Sequence, residues 1–428
     1  MRCINCEQND WQNVDEYRMK PSGMCICKNC GFVSYPDKWQ SEEEIKKHYR
    51  KAYRNPPNAG NFFSGQRKVH FHNTFLQDVF ADWKAKAKAN PSVYEVGAAY
   101  GMALEWFRQA YPGCTVGGTE LTTSYRRNAW HEFKINLTED FDKTKKHDLI
   151  MSYKVAEHQL DADKYIAEYA NHLNDGGYLY ISVPTWFDCA GNFGLPGFDL
   201  EYYYDPNHIN VWTRGIFESI LVKAGFEIIK KDHVIYDSTY LCRKRTFDDP
   251  VTFKEDVGQI IDKMKRLKAC YLALLDNNGV EAINQYPDCP QAWTVLAESS
   301  RKQMFTAGWE TVQNFITNML KACGGKAETY VCATDLGMRS KKWDEAIKWA
   351  EAGLKAKPEN PVSLQQLCNI MREIALSSSS DEKKMHYFEQ ARNVAKHGRE
   401  VSAQHFKEFT DLIYLYNAQL PTPHEPVP

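Results

Sequence analysis

The chain has 428 residues, with 53 Lys and Arg against 55 Asp and Glu, and 43% of it is hydrophobic. That length predicts two to four domains of about 100–200 residues each, and the usage is globular rather than disordered or collagenous. A formal charge of −2 does not point to nucleic acid, whose bulk binders carry a strongly basic face. No run approaches the roughly 18 consecutive apolar residues of a spanning helix, so no membrane association is expected.

The first residues read MRCINCEQNDWQ, without the apolar core of a secretory signal, so a cytoplasmic location is expected. Thirteen Cys in that setting read as thiols or metal ligands rather than disulfides. Cys3-x2-Cys6 and Cys27-x2-Cys30 form two knuckles whose four thiolates suit a tetrahedral zinc shell. Such a site is structural, because four Cys leave no open position for water or substrate. Gly31 suits the tight turn after the last ligand. Cys25 is a spare with the poorer x4 spacing to Cys30. Residues 1–40 are therefore expected to form a zinc ribbon whose metal supplies much of its folding energy. Ser41-Glu-Glu-Glu opens a linker helix over 41–64.

From residue 92 the pattern becomes strand, glycine turn, helix. Ser92–Val96 reads as a buried strand, Gly97-Ala-Ala-Tyr-Gly101 as the turn, and Met102–Phe107 as the following helix. Further strands are expected at Thr115–Thr119, His147–Ser152 and Tyr178–Pro184. A helix from about Asp161 to Leu173 is stopped by Asn174-Asp-Gly-Gly177. Strands alternating with helices imply a parallel sheet covered on both faces, with ligands beyond the strand carboxyl ends at the switch point. Gly97 and Gly101 allow a close backbone approach to a ligand. Glu120, at the next strand end, is placed to accept hydrogen bonds from a ribose diol. Pattern alone leaves a nicotinamide cofactor and S-adenosylmethionine (SAM) both open.

Glu95-Val-Gly-Ala-Ala-Tyr-Gly101 resembles motif I of the class I SAM-dependent methyltransferases, with Ala99 at the position of its central glycine. Asp148-Leu-Ile-Met-Ser-Tyr-Lys-Val-Ala-Glu-His158 resembles their fourth-strand signature, and Leu173–Pro184 their L-x-x-G-G-x-L-x-I-x-V-P strand. His208-Ile-Asn-Val-Trp-Thr213 and Ala224-Gly-Phe226 are similar to their closing segments, so the likeness spans about residues 65–245. The resemblance implies a SAM site made by Glu95, Gly97, Ala98, Tyr100, Gly101, Glu120 and Leu121. It also implies His208 as first choice of general base, with Tyr204 supporting it and His158 second. An imidazole near its ordinary pKa suits that task. The ribbon, with the helix after it, also resembles the subset that includes nucleotide-sugar C-methyltransferases. The acceptor that subset implies is a sugar or nucleotide-sugar hydroxyl or carbon.

After Arg243–Pro250 the strand signals vanish. A charged helix is expected from Thr252 to about Asp276. An offset of 34 residues aligns Trp309 with Trp343, Phe315 with Trp349 and Leu320 with Leu354. That period resembles tetratricopeptide repeats, whose stacked helix pairs bind protein partners or a second copy. The expected organisation is a ribbon (1–40), a linker helix (41–64), a Rossmann-like α/β methyltransferase domain (65–247), an all-α repeat domain (248–418) and a mobile tail (419–428). Two other functions stay open: methylation of a protein or peptide recruited by the repeats, and a scaffold with a degenerate domain.

Overall fold

The computed structural model describes residues 2–17, 23–35, 41–52, 89–185, 208–234, 237–245, 247–248, 250–356, 360–401 and 406–420. It divides into an α/β unit ending at Lys268 and a helical unit from Ala269. The tail after Leu420 and the whole 53–64 stretch of the expected linker lie outside the described residues.

The α/β unit opens with three short strands, β1 (Trp11–Asn13), β2 (Cys25–Cys27) and β3 (Val33–Ser34), and a helix, α1 (Glu42–Ala52). Then come β4 (Ser92–Val96), α2 (Met102–Ala110), β5 (Thr115–Thr119), α3 (Thr123–Phe133), β6 (Leu137–Thr138), β7 (His147–Tyr153), α4 (Ala162–Asn171) and β8 (Leu173–Pro184). The unit continues with β9 (Asn210–Val211), α5 (Arg214–Lys223), β10 (Phe226–Val234) and β11 (Asp237–Lys244).

Seven of the strands form one sheet in the order β10-β11-β8-β7-β4-β5-β6. Pairing is parallel from β6 through β8, while β11 runs antiparallel to both β8 and β10. Strand β4 is the pivot: the chain steps outward through β5 and β6, then returns to the other side of β4 as β7. An order reversal of this kind opens a crevice beyond the strand carboxyl ends. Strands covered on both faces are apolar throughout, and β4 and β7 are buried along nearly their whole length. Helix α2 buries Ala103, Leu104 and Phe107 on one stripe.

Strand β8 differs from expectation, because Asn174–Gly177 lies inside it rather than before it. The pairing with β7 shifts between His147 and Leu149. Gly176 takes φ +73, and a Cβ on Gly177 would stand 2.8 Å from the Asn174 carbonyl. The glycines therefore make an irregularity within a continuing strand. Asp148 holds the strand beginnings in line, accepting from Ser92 N (3.0 Å) and Asn174 Nδ2 (2.8 Å).

A second sheet, in the order β1-β2-β3-β9, joins the N-terminal module to the strand that follows His208. Val33 pairs with Val211 and Ser34 with Asn210. Ser34 Oγ also donates to the Ile209 carbonyl at 2.9 Å. The module shares its core with the large sheet's helices: Cys3, Ile4 and Phe32 are buried in one cluster with Trp212, Ile216 and Phe217. Burying one such large side chain contributes about 1.5–3 kcal/mol, so the module has apolar support of its own.

The stretch after β11 is spent on this core rather than on a helix. Phe253 sits where a Cβ on Gly215 would meet its ring at 2.4 Å, and Glu255 N donates to the Cys30 carbonyl at 3.0 Å. Helix α6 (Val257–Leu275) therefore starts later than expected, where Asp256 Oδ1 accepts from Gln259 N at 3.0 Å.

The helical unit continues with α7 (Gly279–Gln285), α8 (Pro290–Ala307), α9 (Trp309–Cys323), α10 (Ala327–Arg339), α11 (Trp343–Ala356), α12 (Pro361–Ser377), α13 (Asp381–Val401) and α14 (Phe406–Asn417). The starts of α9 and α11 are 34 residues apart, as are those of α10 and α12, which is the offset carried by the sequence. Val312, Ile316 and Met319 of α9 pack with Ala333 and Leu336 of α10. Ala346 and Ala350 of α11 pack with Leu367 and Ile370 of α12. No helix among the described residues is long and apolar enough to cross a membrane.

Candidate active site

The turn after β4 is shaped by three left-handed residues: Gly97 (φ +70), Ala99 (φ +49) and Gly101 (φ +74). Ala98 N donates to the Thr119 carbonyl (2.8 Å) at the end of β5. Glu120 then closes the turn with its side chain, Oε2 accepting from Ala99 N at 2.9 Å and Oε1 from Thr122 N at 2.7 Å. An ionised carboxylate offers about four acceptor sites, so both oxygens keep capacity for hydroxyl donors. Gly97 has no substitute: besides its φ, an added Cβ would stand 2.6 Å from Val155 Cγ2.

Beyond this turn lies a cavity of about 730 Å³, within the size range of ligand and cofactor pockets. Gly97, Ala99, Glu120, Leu121, Thr122 and Tyr125 line one side of it. Tyr153, Lys154, Val155 and His158 approach from the end of β7 and the turn after it. Helix α1 adds Glu42, Ile45, Lys46 and Tyr49. That helix was expected only as a linker. Its wall residues Ile45 and Tyr49 have the i, i+4 spacing of one helix face, the one signal in the sequence that pointed to them. Lys46 pairs with Asp140 at 2.9 Å, and Arg50 pairs with Glu139, so α1 is held against the loop after β6.

The expected cofactor residues divide in two. Gly97, Glu120 and Leu121 line the cavity, whereas Glu95, Ala98, Tyr100 and Gly101 are not among its lining residues. Glu95 is 1% exposed beneath the turn, and Ala98 is buried in the core around β4 and α2. The Tyr100 ring packs on Tyr125 with centroids 4.4 Å apart. Gly101 caps α2.

Of the expected catalytic residues, Tyr204 lies outside the described residues. His158 lines the cavity, and its Nδ1 is hydrogen-bonded to the Tyr49 hydroxyl at 2.5 Å. His208 stands beside it, with ring centroids 5.0 Å apart, and is not among the lining residues. Burial, reinforced by His158 and Lys154, pushes His208 down to about 3. The near-neutral imidazole expected there is corrected accordingly: loss of hydration disfavours the charged ring. The fully buried Glu157 carboxylate brings Oε1 within 3.7 Å of His158 Nε2. Asn210 fixes this corner, its Nδ2 donating to the Gln159 carbonyl at 2.6 Å and the Ala156 carbonyl at 3.3 Å.

In the N-terminal module, the sulfurs of Cys3, Cys6, Cys27 and Cys30 all lie within 4.8 Å of one another, with Cys3–Cys30 and Cys6–Cys27 at 3.6 Å. A tetrahedral shell with about 2.3 Å metal–sulfur bonds needs sulfurs roughly 3.8 Å apart, so the four thiols fit one. Thiol hydrogen bonds from Cys3 and Cys30 hold Cys27 far below the ordinary thiol range. Lys223 donates to the Asn5 carbonyl between the first two Cys and lies within the field of Cys6, Cys30 and Cys3. A cation there offsets the charge of a thiolate cluster. Gly31 is doubly constrained, by φ +76 and by Glu255 and Ile260, each 2.8 Å from the position of an added Cβ.

Residues 69–231 match the family model described as a methyltransferase domain. No curated protein matches the chain. Solved structures similar to it include magnesium protoporphyrin IX methyltransferase from Synechocystis with bound S-adenosylhomocysteine, 15% identical over 47% of this chain and 99% of that one, with a TM-score of 0.35. A SAM-dependent methyltransferase from Aquifex aeolicus is 14% identical over 48% of this chain and all of that one, with a TM-score of 0.32. An O-methyltransferase family protein from Burkholderia thailandensis is 16% identical over 43% of this chain and 59% of that one, with a TM-score of 0.34. Residues 69–231 thus match a methyltransferase domain and fold on a Rossmann-like sheet.

The left-handed Ala99 is costly for an L-residue, by about 1–2 kcal/mol. Glycine removes that cost but adds about 0.4–1 kcal/mol of unfolded-chain entropy. Ala99→Gly should therefore raise stability by roughly 0.5–1 kcal/mol, read as a higher denaturant midpoint at unchanged slope. A lower midpoint would contradict the strain.

Proposed function

We propose that the cavity beside the glycine turn holds SAM and that a small-molecule acceptor enters on the side of Tyr49 and His158. A sugar or nucleotide-sugar hydroxyl or carbon is the acceptor class we assign. The observation that carries the cofactor reading is Glu120. Its carboxylate is fixed by two backbone N–H groups at the end of β5 and lines the cavity next to Gly97 and Ala99. An acceptor set into a rigid strand end, beside a turn without bulky side chains, suits a vicinal diol such as a ribose. Methyl transfer from a sulfonium is an in-line displacement that gains most from positioning, and α1 supplies a wall that narrows the cavity. The acceptor choice is supported by the polar lining opposite the turn, where Tyr49, His158 and Lys154 offer hydrogen bonds to hydroxyl and phosphate oxygens. Acceptor activation is assigned to the histidine corner, with His158 at the wall and His208 behind it. The four N-terminal Cys we assign to a structural zinc ion.

Glu120→Ala should weaken SAM binding by about 1–3 kcal/mol, the worth of hydrogen bonds to a charged group, measured by calorimetric titration. Equal affinity in both proteins would remove Glu120 from the site. Elemental analysis of the purified chain should return close to one zinc per molecule, and Cys27→Ser should lose it together with thermal stability. Less than half an equivalent in the unaltered chain would overturn the zinc assignment.

A further inference from the structure

The histidine corner contains a constellation that methyl transfer alone does not call for. Glu157, His158 and His208 each bring one ligand atom within 4.8 Å of the other two. Two imidazoles and one carboxylate form a set that binds divalent first-row transition ions and leaves coordination positions open. We propose that Glu157, His158 and His208 form a second metal site, separate from the cysteine cluster, for a divalent first-row cation whose open positions face the cavity.

Three features of the fold support it. The first is the orientation of His158: its Nδ1 is engaged by the Tyr49 hydroxyl at 2.5 Å, while its Nε2 is the nitrogen near Glu157, 3.7 Å from Oε1. Metal-bound histidines are typically held in this way by an outer hydrogen bond on the other nitrogen. The second is burial, since the Glu157 carboxylate has no exposure and a buried carboxylate is stabilised by an adjacent cation. The third is backbone rigidity around the ligands. Asn210 ties its own strand to the carbonyls of Ala156 and Gln159, so the elements bearing His208 and Glu157–His158 are braced together.

Ligands in a tetrahedral shell with about 2.1 Å bonds stand roughly 3.4 Å apart. Lys154, whose charge reaches His208, opposes a cation, so micromolar rather than nanomolar affinity is expected. Of the three ligands His158 lines the cavity, so an open position on its side would be reached by an acceptor with two adjacent oxygens, such as a sugar diol. This last point alone rests on the acceptor side proposed above.

Mn²⁺ is the probe, because it favours oxygen and nitrogen ligands over a four-thiolate site. Equilibrium titration of the full-length chain, followed by the loss of the free-Mn²⁺ paramagnetic resonance signal, should show one saturable micromolar site. Glu157→Gln and His208→Asn should each weaken it at least tenfold. Thermal melting of the same variants reports whether they are folded, and SAM is titrated beside Mn²⁺. Should Glu157→Gln fail that control, His208→Asn decides. Absence of saturable binding, or equal binding in the folded variants, overturns the proposal. SAM binding without Mn²⁺ binding sinks the metal site alone; Mn²⁺ binding without SAM binding sinks only the cofactor reading.

Discussion

Two residues of backbone pairing carry much of this structure: Val33 and Ser34 against Val211 and Asn210. Through them the N-terminal cysteine module becomes part of the α/β unit rather than an appendage. The same short strand begins two residues after His208, and its Asn210 side chain reaches across to the turn bearing His158. Folding of the module and placement of the histidine corner are therefore one event. Buried contacts among Phe32, Trp212 and Phe217 reinforce the joint. A metal ion in the cysteine cluster would act on the same joint, because the strand pairing starts three residues beyond Cys30.

The opposite side of the cavity follows from topology. The reversal of strand order at β4 leaves a gap that the loops after β4, β5 and β7 help to line. The glycine turn keeps that gap open, and Glu120 locks the turn to the end of the neighbouring strand. One side chain thus serves both local structure and the proposed ligand contact. Helix α1 is held there by ion pairs at partly exposed positions. Each such pair contributes about 0–1 kcal/mol, which suits a wall that yields when a ligand enters.

The sequence made the central sheet legible because its strands are short, apolar and separated by glycine turns, and β4, β5 and β7 emerged close to their expected limits. Local pattern misled where tertiary context overrode it. Asn174–Gly177 looks like a helix stop, yet pairing with β7 draws it into β8. Residues 252–256 look helical, yet Phe253 and Glu255 are taken up by the core around Gly215 and Cys30. The strand Asn210–Val211 was invisible because its partner lies at the far N-terminus. Tyr49 escaped for a similar reason: its i, i+4 spacing with Ile45 marks a helix face but does not say what that face covers. His208 was found by motif, but its burial, and hence its depressed pKa, depends on neighbours that no motif describes. The 34-residue offset was readable because the starts of α9 and α11, and of α10 and α12, repeat it.

The central claim is that the cofactor occupies the cavity between the glycine turn and the ends of β5 and β7. Amide hydrogen exchange of the whole chain with and without S-adenosylhomocysteine tests it most directly. Slowed exchange over 96–101 and 119–122, with no change across 290–420, is the result the account requires. Protection confined to the helical unit, or none at saturating ligand, would contradict it.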